Sequence, residues 1–487
     1  MHRIGAPAGM LLATLLLSGC QPNSLESGRQ WDSIVSPAVL AKADLELYWR
    51  FRLELDGDSL GQLWRLDENL YALGSSGRLY CLDALAGVPK WSQQIAGPAE
   101  RVYPPCHADG VIIPDQAGIA SLLSPPDRSK LKPFNAVLIN TLSYALLLDR
   151  DTGQVRRKLG FAFAANTGGS SDGFNFYVGS VRGRYYAVRL SEGLAQWEMA
   201  TGDVITATPK VSGHRLYVAS QDHKFYDLAP ERQDDRHVWT RATDGPLTAE
   251  FVVDPRGCFV PSQDYNLYAF DPATGEELWS FLTQGALLDG VQVGARSAFQ
   301  YANKDRFYAV DIATGRQRWE NKDARTVLAV MEPNVLALTA DRNLLVINEV
   351  LGEPELSLPL TGLRLFVPNA AKPVIYAGTA DGRFVCIRKK GAGKLTADTL
   401  RETAGELMQP LVPEAPPASK PAAKTGAASQ PALPPPAVEP VPAEPAAPKP
   451  PAEAKPAEKP ADNQPPMPTG PRVRLRPSRE LPPRPPE

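Results

Sequence analysis

Short apolar alternations, separated by polar or glycine-bearing turns, run along the chain from about residue 45 to about residue 390. The clearest copy reads Asn-Leu-Tyr-Ala-Phe-Asp-Pro-Ala-Thr-Gly-Glu-Glu-Leu-Trp from Asn266 to Trp279, and Arg306 to Trp319 repeats it forty residues on. Related copies are Leu79–Asp83 with Gly87 and Trp91, and Tyr185–Arg189 with Gly193 and Trp197. Weaker ones are Phe225–Leu228 with Trp239, Leu344–Asn348 and Phe384–Arg388. A further alternating segment and a turn precede each copy, as in Leu216–Ser220 and Ile375–Gly378, which is a hairpin pattern. The tryptophan starts another strand, and an inner one such as Thr206–Val211 fits between copies. Four short strands every forty residues make one blade of a propeller.

The repeated polar residues have structural chemistry. Asp271 and Thr274 are suited to bonding their own turn, and Gly275 accepts a backbone angle closed to other residues. Trp279 offers a flat surface that can wedge between neighbouring sheets. Copies marked by the position of Asp271 fall at 83, 189, 229, 271, 311, 348 and 388. The interval from 83 to 189 is too long for two blades and too short for three. It is read as one extra blade plus an insertion of about 25 residues within 115–150, with Arg157 where tryptophan is expected. The fold class is therefore all-β, an eight-bladed propeller over residues 42–395. Trp49 lies 42 residues before Trp91 and no tryptophan follows the copy at Arg388. The strand from Trp49 is thus expected to complete the last blade and seal the ring's open edge.

The two ends differ from this region. Arg3, a short apolar run and Leu17-Ser18-Gly19-Cys20 read as a secretion signal, too short to span about 30 Å of hydrocarbon. The last four of these residues resemble the bacterial lipoprotein box. That resemblance implies cleavage after residue 19, lipidation of Cys20 and a tether over 20–41. No aspartate follows Cys20, so the resemblance also implies delivery to the periplasmic face of the outer membrane. From Leu411 to Glu487 there are 25 prolines and no aromatic residue. Residues 396–487 are expected to stay a disordered Pro/Ala/Lys/Glu-rich tail, because they cannot bury enough apolar surface to offset ordering. Arg472–Arg479 is locally basic and suits contact with anionic lipid or wall polymer.

Candidate chemistry is sparse. A net charge of −2 gives no support for nucleic-acid binding. Cys81, Cys106, Cys258 and Cys386 show no ligand spacing; Cys81 and Cys386 occupy one interior slot in different copies and read as small buried hydrophobes. His214 and His223 fall at expected turns, and Asp234-Asp235 lie in a charged link. No catalytic, cofactor-binding or metal-binding residue is assigned.

The recurrent Tyr-x-(Leu/Val/Phe)-Asp-x-x-Thr-Gly-x-x-x-Trp pattern resembles the tryptophan-docking repeat of the PQQ-like propeller superfamily. The resemblance covers about residues 45–390, and Trp49, Trp91, Trp197, Trp239, Trp279 and Trp319 match its docking tryptophan. Two branches follow from it. One holds quinone-dependent periplasmic dehydrogenases, with calcium ligands, a catalytic aspartate and often adjacent cysteines, none of which is assignable here. The other holds outer-membrane lipoproteins of the β-barrel assembly machinery, which are non-enzymatic scaffolds that dock on the barrel insertase. The second branch implies a protein partner in the envelope and no cofactor. A general propeller lipoprotein that binds another envelope component stays open beside it.

Overall fold

The structure, a computed structural model, describes residue 31 and residues 34–113 and 132–401. Cys20, the signal segment, most of the tether, part of the insertion and the tail from residue 402 on lie outside the described residues. Residues 396–401, expected to begin the disordered tail, instead hold a short helix, Ala397–Leu400. Its Leu400 is fully buried and accepts at its carbonyl from Arg65 at 2.9 Å. Eight four-stranded sheets are present, each strand hydrogen-bonded to the next in sequence except at the closure. In chain order the blades span residues 60–94, 106–160, 165–200, 210–242, 252–282, 292–321 and 324–359. The eighth takes three strands from 365–389 and its outermost from Leu45–Arg52, which pairs antiparallel with Arg383–Lys389. Ring closure by the N-terminal strand therefore stands as expected. The expected insertion of about 25 residues takes up the first part of the 115–150 window, between Cys106–Val111 and Phe134–Asn140. Phe134–Asn140 and Tyr144–Asp149 are regular strands of blade two, so the extra residues fall between its first and second strands.

Alternation explains why these segments pair as they do. In Asn266–Phe270 the apolar residues are buried on both faces, as expected for a strand with neighbouring blades on either side. The next strand, Glu277–Leu282, buries Trp279 and exposes Glu277, Leu278, Ser280 and Leu282. The connecting turn is made by its own side chains. Asp271 Oδ1 accepts from the amides of Ala273 (2.9 Å) and Thr274 (2.8 Å), and the Gly275 amide donates to the Asp271 carbonyl at 2.8 Å. Those amide bonds, the Thr274 one foremost, hold the Asp271 carboxyl below its ordinary range.

The core is not one central mass. It is divided among the seams, so each apolar cluster draws on facing sheets. Phe259, Leu267 and Trp279 of blade five pack with Tyr308, Val310 and Ile312 of blade six.

Candidate functional site

In six blades one trio crosses the second, third and fourth strands. Its members in register are Tyr71-Cys81-Trp91, Tyr177-Ala187-Trp197, Tyr217-Asp227-Trp239, Phe259-Ala269-Trp279, Phe299-Ala309-Trp319 and Tyr376-Cys386-Trp49. Aromatic ring and indole are 5.8 to 6.0 Å apart in every trio, a tilted contact of the kind that adds to simple burial. The middle residue is small, or in one case Asp227, which leaves room for both rings.

Each indole then reaches the following blade. Trp49, Trp91, Trp279 and Trp319 donate their Nε1 proton to the carbonyls of Ala84 (3.0 Å), Arg150 (2.8 Å), Ile312 (2.8 Å) and Glu349 (2.9 Å). Against the ring lies the turn glycine. At Gly315, φ is +67° and an added methyl would stand 2.6 Å from Trp279 Cγ, so glycine meets both a steric and a backbone requirement there. Gly87, Gly153, Gly275 and Gly352 face Trp49, Trp91, Trp239 and Trp319 in the same way. Trp197 differs, with the Arg236 guanidinium 4.8 Å from its ring centre.

Trp239 shows a different arrangement. Its Nε1 is buried without a hydrogen-bond partner, and the Tyr217 hydroxyl donates to the Pro272 carbonyl at 2.9 Å. Beside it, fully buried Asp227 accepts from Arg215 Nε at 2.9 and 2.8 Å. Burial pushes the Asp227 carboxyl up against the opposing pull of Arg215.

Two seams lack the trio. Blade two has Leu138-Leu147-Arg157 and blade seven has Leu336-Val346-Leu356 at the same register. Both lose the aromatic and the small residue together with the tryptophan. At the first, Leu159 approaches Gly193, and Phe161, Phe163 and Tyr186 form a stack with centroid spacings of 4.9 and 3.6 Å. At the second, Trp31, Ile34, Val35 and Leu40 from before the first strand pack with Leu356 and Ile387. Trp31 was not among the expected docking residues, since no repeat surrounds it.

On the ring's inner side, a cleft of about 610 Å³ is lined by Arg65, Glu250, Asp289, Gln292, Arg325 and Asn369 among others. Its polar groups are largely engaged between blades. Gln292 Nε2 donates to the Val327 carbonyl (2.8 Å), and Gln292 Oε1 accepts from the Val327 amide (2.7 Å) and the Thr326 hydroxyl (2.9 Å). Glu250 accepts from the Thr208 amide and hydroxyl at 2.9 and 2.7 Å, with Lys210 Nζ 3.1 Å away. Among the described residues no group of three or more His, Cys, Asp or Glu side chains is placed to hold a metal ion.

Cys81, Cys106, Cys258 and Cys386 are free thiols; burial pushes the first two up to about 12 and the other two higher still. His214 and His223 are exposed at turns, and Asp234 and Asp235 are exposed as well. Sequence reasoning missed His107. Its Nδ1 lies 2.7 Å from Asp67 Oδ2 and its Nε2 2.9 Å from the buried Tyr71 hydroxyl, so it joins blades one and two. Nothing in the local pattern signalled it, because its partners come from the preceding blade.

Eight blades, six of them docked to the next by an indole, closed by an N-terminal strand, define a tryptophan-docked propeller of the PQQ-like class. The chain belongs to the family described as outer membrane protein assembly factor BamB, whose model matches residues 143–253 and 229–408, together more than half of the sequence. Among solved structures, BamB from Moraxella catarrhalis is similar with a TM-score of 0.54 and 18% identity, over 72% of this chain and 99% of that one. The computationally designed Ika8 protein gives 0.51 and 13%, over 69% and 98%. No curated protein sequence matches the chain significantly.

Proposed function

We propose that this protein is a non-enzymatic, lipid-anchored scaffold of the bacterial envelope. It holds protein partners on its surface, and its partner is the outer-membrane barrel insertase. The observation that carries the reading is how the blades spend their chemistry. The recurrent Asp, Gly and Trp residues are used in turns and seams, and the inner Glu250 and Gln292 bridge neighbouring strands. What is left for function is the surface of a rigid ring. Family membership supports the same reading, as does the lipoprotein box at Cys20. Anchoring raises the local concentration of the ring beside a membrane partner, which adds avidity without new contacts.

Crosslinking in native membranes tests the partner. Recovery of the insertase's periplasmic domain as the major adduct is expected, whereas recovery of other envelope proteins or wall polymer would replace it. The anchor has its own test: Cys20→Ser should release the protein to the soluble periplasmic fraction. Quinone-dependent dye reduction by the purified protein with Ca²⁺ would overturn the scaffold reading altogether.

A further inference from the structure

The described chain ends at the rim of the inner cleft. The short helix Ala397–Leu400 is capped by Thr396, whose side chain accepts from the Thr399 amide. Leu400 shares a buried cluster with Leu63, Leu70 and Val374. Two cations hold the C-terminal end of this turn. Arg65 Nη1 donates to the Leu400 carbonyl at 2.9 Å, and Lys372 Nζ to the Arg401 carbonyl at 2.6 Å. Such carbonyls have no helical partner of their own, so cations suit them. At Arg401 the backbone turns out of the helix, with ψ at 133°. Arg65 itself lines the cleft of about 610 Å³, and Lys372 directly follows Pro368, Asn369, Ala370 and Ala371, which line it too. The chain beyond Arg401 therefore begins beside the cleft, with no leash to span.

The cleft presents charge and apolar surface together. The Arg325 guanidinium stands 4.5 Å from the centre of the Tyr301 ring, and its Nη1 donates to the Lys322 and Ala324 carbonyls at 3.0 and 2.9 Å. No ion pair engages Arg325 among the described residues. Its Nε and Nη2 remain, the parallel pair of N–H groups that fits the plane of a carboxylate. Of the acids in the cleft, Glu250 is held by Thr208 and Lys210, and Asp289 is exposed. Half-buried Val293 and Tyr301 and exposed Ala371 add apolar wall. Residues 402–409 read Glu-Thr-Ala-Gly-Glu-Leu-Met-Gln, two acids followed by two large apolar side chains, before Pro410. The family match extends through Met408, past the last described residue and short of the proline-rich sequence.

We infer that the inner cleft is filled in cis by residues 402–409 of this chain. Glu402 meets the Arg65 end of the cleft and Glu406 the open edge of Arg325, while Leu407 and Met408 cover Val293 and Tyr301. Reach is no obstacle, since eight residues extend up to about 28 Å. Because the segment is joined to the ring at Arg401, its effective concentration at the cleft is about millimolar or higher. Contacts too weak to hold a free peptide then suffice to hold this one. Filled in this way, the centre of the ring is closed, and partners are left to the outer surface.

The test places the photocrosslinker p-benzoylphenylalanine at position 407 of the full chain and irradiates the purified, dilute protein. An intramolecular crosslink to residues 291–301 or 325–326 is expected. Crosslinks between two copies, crosslinks confined to the outer strands, or no crosslink at all overturn the inference. Glu402→Gln with Glu406→Gln should lower the yield roughly fivefold, the loss that two partly exposed ion pairs give. An unchanged yield in that variant refutes the pairing and the inference with it. Arg325→Glu should lower the yield as well, and adding Glu406→Arg should restore it. Failure to restore it, in a chain that melts as the unaltered one does, also overturns the inference. If Arg325→Glu does not fold, the glutamate variants decide alone, since they leave the ring untouched. Loss of the cleft contact leaves the scaffold reading standing, because crosslinking to the insertase in native membranes reads the outer surface.

Discussion

The seam between blades five and six and the seam between blades two and three have the same strands in the same order, yet they are held differently. In the first, Phe259 and Trp279 pack across Ala269, and the indole both rests on Gly315 and donates to Ile312. One side chain supplies area, shape and a satisfied polar group. In the second, Leu147 fills the central position, Arg157 replaces the indole, and stacked rings from the following loop take over the packing. Substituting the trio as a unit is what keeps the seam closed: a tryptophan above Leu147 would meet a branched side chain instead of a small one. The contrast separates residues that hold the ring from residues free to do something else.

Several changes would sharpen or break this contrast. Trp279→Ala, at a site only 8% exposed, should destabilise by about 3–5 kcal/mol in denaturant unfolding. A loss below about 1 kcal/mol would mean that the indole does not carry the seam. Arg215→Ala leaves the buried Asp227 carboxylate without its counter-charge and should cost about 3 kcal/mol by the same measurement. Replacing the pair together, Arg215→Met with Asp227→Ala, should come close to neutral, since Ala is what blades five and six hold there.

The glycines make the most direct comparison. Gly315→Ala meets both a positive φ and the Trp279 ring, and should cost about 2–4 kcal/mol. Gly193→Ala meets a similar φ of +75° but only an ordinary 3.5 Å contact with Leu159, so about 1 kcal/mol is expected. Equal losses would show that the two seams are packed alike.

The smallest effect is in pH. Asp271 and Asp311 have carboxyls held below their ordinary value by turn amides and the Thr274 and Thr314 hydroxyls, so in the folded state they release their proton more readily than in the unfolded one. Their contribution is present above the ordinary carboxyl pKa and is lost as pH falls through the depressed one. Asp271→Asn should therefore reduce stability near neutrality and flatten its decline below about pH 4. Arg189→Gln in blade three should leave that acid limb unchanged. Thermal unfolding across pH reads both.

Much of this was legible along the chain. Recurrence of Asp-x-x-Thr-Gly and tryptophan at forty-residue spacing gives the blade, because a turn motif and a strand pattern are local and leave a direct imprint. Trp49 ahead of the first full copy, with no tryptophan after the last, gave the closure. Arg157 was visible as a departure, but the burial of its Nε without a hydrogen-bond partner was not, since that depends on what approaches from blade three. His107 and Trp31 were invisible for the same reason: their partners, Tyr71 and Asp67 for one and the neighbours of Leu356 for the other, are brought to them by the ring.

The sequence by itself determined the strands, their turns and the number of blades, since hydrogen bonding to an adjacent segment and a left-handed glycine are short-range requirements. Only the tertiary structure decided which side chains share a seam, and therefore which are satisfied and which are left over. Circular closure brings residues some three hundred positions apart into contact, as when the Tyr376 hydroxyl donates to the Ala84 carbonyl at 3.0 Å. Desolvation acts on whatever that closure encloses. A tryptophan gains from it and an unpaired arginine loses, and no pattern read along one strand can tell which neighbour will arrive.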